Sequence, residues 1–155
     1  MLVSDDSAPV INKEVKKAAY NYLARREHSC HELRQKLKQK DFELDDINLV
    51  LEKLIEHDIQ SDLRYAQCVI RQRLAKGYGR TYISNELKQK GLASDISSQA
   101  FASEPVDWFE LAQQVYHKRF GDVPIRDQKD KAKRVRFLQY RGFDFEQISA
   151  AMTLD

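Results

Sequence analysis

Three stretches of this sequence hold residue types that could do chemistry. His28, Cys30 and His31 fall close together, and a thiol at a helix N-terminus has a lowered pKa, so a metal site or a nucleophile is the first reading to weigh. It is a weak one. No second cluster of ligands accompanies it, and neighbours on one helical turn do not converge on an ion as an i, i+4 pair does. Ser29-Cys30-His31-Glu32 reads better as a capping box beside a surface histidine. Gly77-Tyr78-Gly79 invites a phosphate loop, but no strand precedes it and no Gly-Lys-Ser/Thr follows, so it reads as a helix stop and interhelical turn. The third feature is charge. Residues 64–90 hold seven Lys or Arg against one acid, Glu86, interleaved with Tyr78 and Tyr82, and residues 129–141 hold six against Asp130. Cations and aromatics on a helical frame fit a polyanion or an acidic protein surface.

The elements that must position these groups are helical. The chain has 155 residues, 32% charged and 42% apolar, with five Gly and three Pro. That is enough to bury a core, and too few turn-formers for an all-β fold. Net charge is only +2, so segregation matters more than the total: residues 41–62 carry eight acids against Lys53 alone. Two cysteines without a CxxC pair fit a reducing, cytoplasmic setting. The first residues lack a signal-peptide pattern, and no run approaches a membrane span.

Helical spacing starts near Glu14, with Val15, Ala19, Tyr22 and Leu23 on one face. Leu33 and Leu37 are the buried face of the next helix. Asp45 or Asp46 then caps a third, with Ile47, Val50, Leu51, Leu54 and Ile55 inward. A second trio runs from about Asp62 to Lys76, Thr81 to Lys90, and Ser94 (as cap) to Phe101, with Ile70, Leu74, Ile83 and Leu87 fastening the basic stretch to a core. A third has Pro105 in its opening turn. It buries Trp108, Phe109, Ala112, Val115 and Tyr116, stops at Gly121, and continues through a basic helix over 127–141 to a last one opened by Asp144. The trios superpose: Ala19, Ala66 and Ala112 align, as do Leu37, Leu87 and Leu138, at a spacing of about fifty residues. The expected architecture is therefore all-α: an N-terminal arm (1–13) and three tandem three-helix repeats (14–59, 60–103, 104–155) forming an elongated, curved molecule. A compact nine-helix globule is the alternative.

In these residues the chain resembles the RecX family, regulators of the RecA recombinase. The first unit contributes Arg26-Glu27-His28-Ser29, Glu32-Leu33 and Lys36-Leu37. The second contributes Asp62, Arg64-Tyr65-Ala66, Arg73, Gly77-Tyr78-Gly79, Ile83, Glu86-Leu87 and Lys90-Gly91. The third contributes Asp107-Trp108 and Arg136-Phe137-Leu138 with Tyr140-Arg141-Gly142-Phe143. The match runs over most of residues 15–150, with one departure: Arg80 stands where the family commonly has Pro. The resemblance implies a small cytoplasmic protein, and the residues weighed above add the expectation of a non-enzymatic one without cofactor or metal. It implies binding to RecA and the RecA–single-stranded DNA filament, with inhibition of strand exchange, ATP hydrolysis and co-protease activity, and for some members direct binding to DNA.

On this reading Arg71, Arg73, Lys76, Arg80, Lys88 and Lys90 are the central contacts to RecA or DNA. Lys133, Arg134, Arg136 and Arg141 extend that surface, and Arg25, Arg26, Arg34 and Lys36 continue it at the other end. The expected partner set is RecA, its filament and single- or double-stranded DNA, with no membrane and a monomeric protein. An autonomous DNA-binding module acting without RecA is the rival.

Overall fold

The structure is a computed structural model that describes residues 9–153. Most of the expected arm, residues 1–8, lies outside the described residues. Among them the chain forms nine helices and no strand: α1 (Lys13–Arg25), α2 (Cys30–Gln39), α3 (Leu44–Glu56), α4 (Asp62–Ala75), α5 (Arg80–Gln89), α6 (Ser94–Ser103), α7 (Trp108–Phe120), α8 (Gln128–Tyr140) and α9 (Phe145–Ala151). None is long and apolar enough to cross a membrane. By their contacts the residues divide into two units: residues up to 65 with 90–92, and residues 66–89 with those from 93 onward.

In the first unit, Asn12 caps α1 by accepting from the N–H groups of Glu14 and Val15, and Ser29 and Glu32 form the expected capping box of α2. Glu43, without a side-chain hydrogen bond, occupies the N-cap of α3 in place of the expected Asp45 or Asp46. Those two acids sit inside the first turn, where they face the positive end of the helix dipole instead of bonding its free N–H groups. Asp41 and Asp58, at φ 64° and 58°, take the left-handed conformation just beyond α2 and α3. The core joins Val15 and Ala19 to Leu33, Leu37, Ile47, Val50, Leu51 and Leu54. Each large side chain there contributes roughly 1.5–3 kcal/mol of burial. Ile55, expected inward, is 49% exposed because it lies one position round the helix from Leu54 and off the apolar stripe.

In the second unit, Asp107, Asp127 and Asp144 cap α7, α8 and α9 through their carboxylates. Ala93, not Ser94, is the N-cap of α6. The three-helix packing of α7, α8 and α9 buries Ala112, Leu138, Phe143, Ile148, Ala151 and Met152. Trp108 is half-buried, edge-on to Phe101 at 6.0 Å, while Phe109 is exposed and does not join the core. The sequence superposition has a physical counterpart: Ala19, Ala66 and Ala112, and Leu37, Leu87 and Leu138, are all fully buried. Of the row fastening the basic stretch, Ile70, Ile83 and Leu87 are fully buried and Leu74 is half-buried.

A candidate anion-binding interface

The two basic stretches meet in the second unit, and glycine brings them together. α4 ends at Gly77, whose φ of +81° needs no Cβ, and its N–H and that of Tyr78 bond back to Leu74 and Arg73. The chain then runs against the end of α8. The Gly79 N–H donates to the Arg141 carbonyl at 2.6 Å and the Thr81 N–H to the Gly142 carbonyl at 3.1 Å. Both glycines are needed for this approach. A Cβ on Gly79 would stand 2.5 Å from the Gly142 oxygen, and one on Gly142 (φ +95°) would stand 2.5 Å from the Tyr82 nitrogen. Arg141 adds a third tie, its guanidinium donating to the Lys76 carbonyl at 2.6 Å.

Two open clefts flank this junction and share Phe137 and Arg141. The larger, about 560 Å³, is lined by Tyr78, Tyr82, Lys133, Arg136, Phe137, Tyr140 and Arg141. Tyr78 and Tyr82 stack at 4.1 Å with 21° between their planes, and the Arg141 guanidinium lies 4.9 Å from the Tyr78 ring. Lys133, Arg136, Phe137 and Tyr140 reach it together because positions i, i+3, i+4 and i+7 share one face of a helix. The second, about 400 Å³, has Leu74, Leu111, Val115 and Phe137 among its walls and Lys76, Lys118, Arg119 and Arg141 around them.

In the first unit the cations gather round one buried acid. Arg26 holds Glu32 through two hydrogen bonds of 2.9 and 3.1 Å, and Lys90 approaches the same carboxylate at 3.6 Å. Burial pushes the Glu32 carboxyl up, but Arg26 and the Ser29 N–H together outweigh it and leave the pKa below the ordinary value. Lys36 is lowered by burial and by the nearby charges of Arg26, Lys90 and Arg25. His28 is almost fully buried rather than on the surface. Its Nδ1 faces the Arg26 carbonyl at 3.0 Å and its Nε2 faces the Lys36 ammonium at 2.9 Å. A carbonyl can only accept, so Nδ1 bears the proton and Nε2 accepts from Lys36. Burial lowers the His28 pKa, which favours that neutral ring. Cys30 sits beside Arg34, and burial raises its thiol, the reverse of what a nucleophile needs. Among the described residues no three His, Cys, Asp or Glu side chains form a group able to hold a metal ion.

The structure sorts the predicted contact residues by whether their charge is already answered. Arg73 is half-buried and bonds Glu86 through three contacts of 2.7–3.1 Å, which raises its pKa. Arg71 pairs with Glu104 and Arg26 with Glu32. Arg34 bonds Asn48. Arg134 does not belong to a surface at all: it is 3% exposed and donates to Tyr116, to the carbonyls of Val123 and Pro124, and to Asp130. Its predicted role as a contact is corrected to that of a buried clasp between α8 and the loop before it. Arg25, Lys76, Arg80, Lys88, Lys133, Arg136 and Arg141 have no acid within ion-pair distance among the described residues. Arg80 lies over the Phe101 ring at 4.3 Å. Sequence reasoning passed over Lys118, Arg119 and the 88%-exposed Tyr140. The i+3, i+7 spacing from Lys133 could have flagged Tyr140, whereas Lys118 and Arg119 are identified only by the groove they share with α4.

Nine helices in successive three-helix groups, among the described residues, define an all-α helical protein whose second unit carries an aromatic cleft edged with cations. Comparison with known proteins gives its family. Residues 16–54, 61–100 and 106–152 match the models for the first, second and third three-helix domains of RecX, respectively. The chain is 45% identical over 148 residues to Regulatory protein RecX of Vibrio parahaemolyticus, covering 96% of this chain and 94% of that one. It is 47% identical over 138 residues to its counterpart in Vibrio vulnificus, covering 89% and 90%. The crystal structure of RecX from Lactobacillus salivarius superposes with a TM-score of 0.76 at 23% identity, over 91% of this chain and 94% of that one, and shares its fold. The chain belongs to the RecX family.

Proposed function

We propose that this protein binds RecA and the RecA–single-stranded DNA filament and restrains it, lowering strand exchange, ATP hydrolysis and co-protease activity, and so modulates recombination, DNA repair and the SOS response. It acts in the cytoplasm as a monomer built of three units, 14–59, 60–103 and 104–155, without catalysis of its own. The observation that supports this reading beyond family membership is the convergence of residues 76–82 with 133–141. Lys76, Lys133, Arg136 and Arg141 line the two clefts there, and Arg80 opens α5 beside them with its guanidinium over Phe101; none has an acid within ion-pair distance among the described residues. Unpaired like charges brought close cost stability, so their retention points to an anionic partner that answers them. Arg71 and Arg73, already held by Glu104 and Glu86, take a secondary place. Further contacts are the exposed Lys88 in the second unit and, in the first unit by itself, the exposed Arg25 with the half-exposed Lys36 and Lys90. Contacts spread over several units add through multivalency even where each is weak.

The test is titration of the protein against RecA ATPase on saturated single-stranded DNA. Inhibition at substoichiometric protein, lost in Lys133→Glu/Arg136→Glu with helicity intact, is the expected outcome. Inhibition that requires enough protein to coat the DNA favours a DNA-binding module acting without RecA. Unchanged inhibition by the double variant removes the cleft from the mechanism.

A further inference from the structure

The larger cleft holds one aromatic ring with nothing to do. Tyr78 is occupied by Tyr82 and by the Arg141 guanidinium, and Phe137 is met edge-on by Phe120 and flanked by Arg119 and Arg141. Tyr140, in the same cleft, has no ring, cation or hydrogen-bond partner among the described residues and is 88% exposed. It stands one and two turns along the same face of α8 from Arg136 and Lys133, which are also exposed and without an ion-pair partner. The separation along the axis from Lys133 to Tyr140 is about 10.5 Å. Cations set beside a free aromatic face make the arrangement that grips a strand by its phosphates and stacks its unpaired bases. A peptide strand would need backbone partners that this helical face does not offer, since its own N–H and C=O groups are spent within α8.

We infer that Tyr140 stacks an unpaired base of single-stranded nucleic acid while Lys133 and Arg136 neutralise the flanking phosphates. This rests on the proposed reading of the cleft as a contact surface and assigns it a direct nucleic-acid role that needs no RecA. The order of the groups along α8 sets the geometry, with charge toward the helix start and the stacking ring at its end. Discrimination therefore comes from the presence of a base and not from its identity.

The test uses the full chain without RecA, with labelled oligo(dT) and an abasic strand of the same length as probes. The wild type binds oligo(dT) more tightly than the abasic strand by at least roughly fivefold, the low end of the effect of one stacked base. Tyr140→Ala abolishes that preference while leaving abasic binding unchanged, and Tyr140→Phe retains it. Lys133→Gln and Arg136→Gln each lower the salt slope of log K by about 0.7 on both probes. Equal affinity of the wild type for the two strands, or a Tyr140→Ala protein that still prefers bases, overturns the inference. So does displacement of oligo(dT) by polyglutamate at equal charge concentration, which would make the cleft a site for any polyanion. If the preference fails while RecA inhibition persists at substoichiometric protein, the base-stacking site falls and the filament reading stands.

Discussion

The Gly79–Gly142 junction allows a perturbation whose size follows from distances. Gly79 does not adopt a positive φ, so alanine is conformationally acceptable there and by itself would stabilise by about 0.4–1 kcal/mol through the unfolded chain. Its Cβ, however, would lie 2.5, 2.6 and 2.8 Å from the Gly142 O, the Gly142 C and the Phe143 N, all backbone atoms. Restoring ordinary contact requires the two segments to separate by about 0.6–0.9 Å. The bonds from Gly79 N to Arg141 O (2.6 Å) and from Thr81 N to Gly142 O (3.1 Å) then stretch to about 3.5 and 4.0 Å, at or past the hydrogen-bond limit. Each loss costs about 1–2 kcal/mol at this buried turn. The net expectation for Gly79→Ala is a loss of about 2–3 kcal/mol, a fall in Tm of roughly 5–10 °C for a chain of this size. Gly121→Ala is the control: φ +60° and ψ −143° form a conformation nearly restricted to glycine, with open space around the Cβ, so only the conformational cost of about 1–3 kcal/mol applies. Gly142→Ala combines both effects and should exceed either. Urea and thermal unfolding followed by circular dichroism measure all three. A Gly79→Ala protein as stable as the wild type, or more so, would refute the close-approach argument.

Four further outcomes follow. Glu86→Gln removes the charge that Arg73 grips in a half-buried pair and should cost about 1–3 kcal/mol in urea unfolding, with Arg73→Ala/Glu86→Gln less harmful than the sum of the single changes. Acid should weaken the first unit in two steps. The folded pKa values of His28 and Glu32 both lie below their unfolded ones, so the folded state binds fewer protons and stability falls as pH drops, first below about 6.5 and again below about 4.3. A His28→Gln protein should lack the first step in a pH series of unfolding midpoints. Charge reversal at Lys133 and Arg136 should abolish RecA ATPase inhibition without changing the far-ultraviolet spectrum. Tyr140→Ala should leave unfolding unchanged, because the ring buries almost nothing, and should act only on oligonucleotide binding.

Much of the architecture is legible in one dimension because helices are local objects. Apolar spacing, capping residues and glycine stops mark nine segments, and the recurrence of Ala19, Ala66 and Ala112 with Leu37, Leu87 and Leu138 reveals a unit that repeats. Each of those six positions is fully buried. The density of Lys and Arg in 64–90 and 129–141 is equally a property of sequence. Which of those charges is free is not. Arg134 and Lys133 are neighbours in the chain, yet one is sealed against Asp130 and Tyr116 while the other lines an open cleft, because a helix turns about 100° between them. Arg73 meets Glu86 from another helix, and Gly79 meets Gly142 across more than sixty residues. Sequence by itself thus determined the helices, their repetition and the presence of cationic stretches, since these depend on neighbours three or four residues apart. Only tertiary packing decided which cations remain unanswered and that Tyr140 stands beside them, because desolvation and ion pairing are settled between residues that the chain order keeps apart.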